Sequence, residues 1–111
     1  AIIAGRKIAT NTTVSIQQIS NEIPGSFSLE QNYPNPFNPV TNINFSLPKS
    51  GSIKLTIMDI TGREILTLIN GRYSAGTYRI DLDASQLASG VYFYRLQTAE
   101  FTQTRKMILI K

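Results

Sequence analysis

The chain has 111 residues, 41% apolar and 16% charged, with a net charge of +4. That size and mix suit one globular domain plus some extra chain. There is no cysteine, histidine or tryptophan, which excludes disulfides, thiolate nucleophiles, zinc–sulfur sites and a Ser-His-Asp triad. Six of the eleven bases are spread singly over residues 49–95. The rest are Arg6, Lys7, Arg105, Lys106 and Lys111, which make no basic stripe of the kind that binds nucleic acid. No apolar run approaches the ~20 residues of a membrane-spanning helix. Ala1-Ile2-Ile3-Ala4 is too short for a signal-peptide core, so the chain reads as processed or as excised from something longer.

Residues 1–25 read as an N-terminal arm or linker. Thr12, Val14 and Ile16 alternate with Thr13, Ser15 and Gln17, which is a strand signal. With Ile2, Ile3, Ile8, Ile19 and Ile23 the arm is too apolar for a plain flexible linker. From Ser26 to Gln31 a short strand is expected, with Phe27 and Leu29 on one face. The stretch Asn32-Tyr33-Pro34-Asn35-Pro36-Phe37-Asn38-Pro39 follows. Its prolines forbid helix and central strand. The asparagines replace lost ladder bonds through Asx-type turns. One or both of Tyr33 and Phe37 should plug the end of a core.

Val40–Leu47 is the clearest strand, with Thr41, Ile43, Phe45 and Leu47 on one face. After the turn Pro48–Gly51, Ile53, Leu55 and Ile57 mark the next strand, which ends at Asp59. Asp59-Ile60-Thr61-Gly62 reads as a tight turn with Gly62 at positive φ. Glu64–Ile69 is a further strand, closed by the turn dipeptide Asn70-Gly71. Gly76–Leu82 carries Tyr78, Ile80 and Leu82 inward. Asp83 then caps a loop anchored by Leu87. Val91–Gln97 and Phe101–Lys111 form the last hairpin around Thr98-Ala99-Glu100. These seven strands, without helical periodicity, predict an all-β fold: a seven-stranded antiparallel immunoglobulin-like β-sandwich over residues 26–111, preceded by an extended arm.

The residues hold little chemistry. Asp81 and Asp83 share a strand face, which could suit calcium, but a solvated strand end is the better reading. The sequon triplets at Asn11 and Asn44 carry little weight. Tyr78, Tyr92 and Tyr94 occupy positions a sandwich core needs, rather than a carbohydrate platform. No enzyme, cofactor or metal is expected.

Phe27-Ser28-Leu29-Glu30-Gln31-Asn32-Tyr33-Pro34-Asn35-Pro36-Phe37-Asn38-Pro39 resembles the opening of the type A C-terminal sorting domain of type IX secretion, found in the Bacteroidetes and their relatives. The resemblance continues through Ile57–Glu64, Ala75–Tyr78 and Asp83–Leu96, and closes with Arg105–Lys111. Two departures stand out: Leu82 where the family often has an aromatic, and Ala99-Glu100 where it often has glycine. The resemblance implies an exported protein that reaches the cell surface or the medium through the periplasm. Its implied partners are the outer-membrane secretion machinery and a sortase that couples cargo to surface lipopolysaccharide. It places the recognition element on the last strand, at Lys106, Met107, Leu109 and Lys111. A terminal strand edge would suit β-augmentation, and its bases would steer a partner. A second expectation takes the arm literally. Thr12, Val14, Ile16 and Ile19 would add as a strand to a neighbouring sandwich and make a homopolymeric extracellular filament.

Overall fold

A computed structural model describes the backbone of residues 2–8 and 12–111, and the side chains of residues 14–111. The sequon at Asn11 and the side chains of Ile2, Ile3, Ile8 and Thr12 lie outside the described residues. Nine strands and no helix are described: β1 (Ile2–Ile8), β2 (Thr12–Ser20), β3 (Ser28–Leu29), β4 (Val40–Leu47), β5 (Gly51–Met58), β6 (Glu64–Tyr73), β7 (Gly76–Asp83), β8 (Gly90–Gln97) and β9 (Thr102–Leu109). They form an antiparallel sandwich. One sheet runs β1-β2-β7-β4-β3 and the other β6-β5-β8-β9.

Strands β3 to β9 are the seven the sequence calls for; the arm adds two more. The edge of β7 not used by β4 takes β2, with Val14 opposite Leu82 and Ile16 opposite Ile80. Val14 and Ile16 are thereby buried. The alternation in β4 appears as expected: Ile43, Phe45 and Leu47 have no exposed surface, while Asn42, Asn44 and Ser46 face outward. Phe45 stacks on Tyr78 across the β4–β7 ladder, with ring centroids 5.3 Å apart. The facing sheet supplies Leu55, Ile57, Tyr94, Leu96 and Met107, all fully buried. Two layers of apolar strand faces enclose one core, the arrangement that a period-two pattern demands.

One turn moves. Asn70-Gly71 is not a turn, because β6 runs through it to Tyr73. Two irregularities in the β5–β6 ladder give β6 ten residues against the eight of β5. Leu66, Leu68 and Ile69 are all buried as a result. The long ladder outweighs a two-residue turn preference. The Asp59 turn forms as read. Gly62 has φ +89°, and Asp59 Oδ1 accepts N–H bonds from Thr61 at 2.9 Å and Arg63 at 3.1 Å. The Thr61 hydroxyl also donates to Asp59 Oδ1. This bond is the largest influence holding the Asp59 carboxyl below the usual aspartate value.

Candidate recognition site

The proline stretch lies along the last strand. Phe37 is 2% exposed and plugs the core, whereas Tyr33 is 79% exposed. Tyr33 exchanges two backbone bonds of 2.9 Å with Asn42. Its neighbour Asn32 turns inward instead, where its Nδ2 donates to Pro34 carbonyl at 3.1 Å and Thr41 Oγ1 at 3.0 Å. Below them sits Tyr94, wholly buried. Its hydroxyl donates to Glu30 carbonyl at 2.7 Å and accepts Asn32 N–H at 2.8 Å. Burial pushes the Tyr94 phenol up to about 12, against the opposing influences of the Asn32 amide and the Arg105 charge.

From this pin, residues 29–37 reach the outer edge of β9. Arg105 Nε donates to Leu29 carbonyl at 2.6 Å. Gln31 Nε2 donates to Lys106 carbonyl at 2.7 Å. Ile108 N–H donates to Asn35 Oδ1 at 2.9 Å. Phe37 N–H donates to Ile108 carbonyl, and Ile110 N–H to Phe37 carbonyl, each at 2.9 Å. Lys111 N–H donates to Ser89 Oγ at 3.0 Å, and its ammonium bonds Ser85 carbonyl. The edge that the sequence leaves open for strand addition is therefore occupied from Lys106 to Ile110 by the chain's own proline stretch. The physical reason is local. Prolines leave this stretch short of ladder partners, and its Asn and Gln side chains substitute for them across the edge.

The four residues assigned to recognition divide into two pairs. Met107 and Leu109 point into the core at 0% and 1% exposure. Lys106 and Lys111 are exposed, as is Ile110. Lys106 and Ile108 lie opposite Phe93 and Val91 of β8. The face of the sheet turned away from the core is thus half-apolar along β8 and β9 and carries bases at its rim. Sequence reading missed Gln31 and Asn35, whose β9 partners lie more than seventy residues away in the chain.

Of the arm residues, Val14 and Ile16 are buried against β7 and Ile19 is 45% exposed. The strand that the sequence leaves free for a neighbour is paired within this chain. Asp81 accepts an ion pair from Arg79, with Nε 3.2 Å from Oδ1. Asp83 Oδ1 caps the following turn by accepting Ser85 N–H at 3.0 Å. Both aspartates thus have structural partners. A shallow pocket lined by Phe27, Ile53 and Glu100 brings together one carboxylate and the Lys49 ammonium that pairs with it. No group of three metal-ligating side chains occurs among the described residues.

Two antiparallel sheets thus pack as a sandwich, and residues 31–37 clamp the outer edge of β9 between Lys106 and Ile110. Residues 31–111 match the family model described as the secretion system C-terminal sorting domain. The chain belongs to this family, which serves type IX secretion and marks a protein for the cell surface or for release. No curated protein and no solved structure matches the chain.

Proposed function

We propose that this chain is a non-catalytic sorting module that the outer-membrane secretion machinery reads in folded form, through the side chains of its last strand. Residues 26–111 are the module and residues 1–25 the arm before it. The observation that carries this reading is the outer edge of β9, closed from the Lys106 carbonyl to the Ile110 amide. With backbone groups from the Lys106 carbonyl to the Ile110 amide occupied, a partner is left the outward side chains Lys106, Ile108 and Ile110 beside Val91 and Phe93, and exposed Lys111, whose ammonium also bonds the Ser85 carbonyl. Met107 and Leu109 act from inside, fixing the strand so that its outward residues keep their spacing. Half-apolar surface with basic ends suits a partner that is apolar at its centre and acidic at its rim. A sortase acting on the delivered protein fits the same family role. The family match lends no support to a filament subunit.

The test is export of a reporter carrying the full chain at its C-terminus, in a bacterium with type IX secretion. Lys106→Glu together with Lys111→Glu should lower the exported reporter by roughly tenfold or more, the effect of about 1.4 kcal/mol in binding. Folding should survive, because both side chains are at the surface and the one bond given up, from Lys111 to the Ser85 carbonyl, is exposed. Undiminished export of the double reversal would refute the role of these bases.

A further inference from the structure

The arm docks into a site with built features. Seven registered pairs join β2 to β7, from Thr13 opposite Asp83 to Ser20 opposite Thr77. Val14 and Ile16 fill the core beneath them at 4% and 6% exposure. Gln18 Nε2 reaches the carbonyl of Ala75 at 3.4 Å. Gly76 makes room for the end of the strand. A Cβ there would stand 2.4 Å from Gln18 Nε2 and 2.7 Å from the Ser20 carbonyl, on a backbone with φ +151°. The acceptor strand lies inside the family-matched residues 31–111 and the donor lies outside them.

The connection between donor and domain is loosely held. Among the described residues, 21–26 make a single hydrogen bond, from Glu22 N–H to Ser20 Oγ at 3.2 Å. Ile23 is 74% exposed. Ser20, Thr77, Ser46 and Ser28 lie in one row across β2, β7, β4 and β3. Three strand spacings separate the ends of the linker by roughly 14 Å, while eight residue steps reach about 26 Å. The linker has slack, and among the described residues its one bond, from Glu22 to Ser20, does not tie β2 to its own domain.

We propose that the β7 edge is a strand-acceptor slot that takes residues 12–20 of a second copy of this chain, with residues 21–27 as the hinge. The identical strand offers the identical register, the same two apolar plugs and the same fit over Gly76, so a second copy is the occupant the slot matches. Exchange of an identical element is a low-cost route to association. Reciprocal exchange closes a pair, and successive exchange runs head to tail into an open chain. A short flexible linker gives the chain's own strand an effective concentration on the order of millimolar. Self-docking therefore dominates in dilute solution, and exchange takes over where copies are crowded. This inference stands independently of the sorting role.

The chain's lack of cysteine makes the test direct. Gln17→Cys with Arg79→Cys places two thiols on register partners across the β2–β7 ladder, within disulfide reach. The full chain is oxidised at about 10 μM and at about 1 mM, well below and at the crossover, then run on non-reducing gels. Exchange predicts a ladder of interchain-bonded species whose share rises about tenfold or more between the two. A monomer bonded only within itself at both concentrations overturns the proposal. A second variant also lacks residues 21–26. Its linker reaches only about 7 Å, half the distance β2 must cross to its own slot. Bonded dimers and larger species from it support the slot's taking a strand in trans. Monomers with free thiols overturn it.

Discussion

Tyr94→Phe removes one oxygen from the centre of the clamp and keeps the ring. Two bonds disappear. Asn32 N–H is left in a buried setting without its 2.8 Å acceptor, and the Glu30 carbonyl loses its 2.7 Å donor. An orphaned buried amide costs about 1–3 kcal/mol, and a partly solvated carbonyl about 0.5–1.5 kcal/mol. The expected loss is thus about 2–4 kcal/mol, or a fall in Tm of very roughly 10–15 °C for a domain of this size. Urea unfolding gives the free energy. Amide exchange at Ile108 and Ile110, whose partners hang from the same segment, shows whether the clamp loosens first. The phenol also sets a pH signature. Its folded value, about 12, lies above the unfolded value of about 10. A raised acid stabilises the fold fully below the unfolded value and loses that contribution as pH rises through the folded one. The natural chain should weaken between about pH 10 and 12, and the Phe variant should lack this share of the decline. A variant within 0.5 kcal/mol of the parent, with unchanged exchange at Ile108, would refute the reasoning.

Leu109→Ala should cost about 2–5 kcal/mol because the side chain is 1% exposed, whereas Lys106→Ala should stay within about 0.5 kcal/mol; paired denaturation curves separate the two. Asn35→Ala should speed exchange of the Ile108 amide, which donates to Asn35 Oδ1, and leave the β8 side of the hairpin protected. Gly76→Val should free the β2 end, since its Cβ meets the Ser20 carbonyl at 2.7 Å; amide exchange at Gln18 and Ser20 reports it. Asp59 has a lowered carboxyl, first through the Thr61 hydroxyl bond. Its contribution is present above the ordinary value of 3.8 and is lost as pH falls through the folded value. Asp59→Asn should therefore flatten part of the acid limb in urea titrations at stepped pH.

Which parts of this molecule could be read from sequence follows from how local each signal is. Strand β4 was legible residue by residue because every second side chain is apolar and the strand runs Val40–Leu47 without a bulge. The turns at Asp59 and at Thr98 were legible because their side chains bond backbone two to four residues away. Asn70-Gly71 misled because a long ladder with β5 overrode a two-residue preference. Proline spacing foretold a plug but could not choose between Tyr33 and Phe37. That choice depends on which backbone groups find partners on β4 and β9. Apolar alternation foretold a strand in the arm, but alternation does not name a partner strand. The clamp on β9 was illegible for the same reason: Gln31 and Asn35 are ordinary polar residues until the fold brings Lys106 and Ile108 beside them.

The central claim is that this folded module directs export, and the most direct measurement is where a reporter ends up. With the full chain fused behind a periplasm-targeted fluorescent cargo, in a bacterium that has type IX secretion, most of the cargo should reach the cell surface or the medium. The same cargo without the chain should stay in the periplasm. A fused cargo that remains in the periplasm, with the module shown to be folded there, would contradict the account.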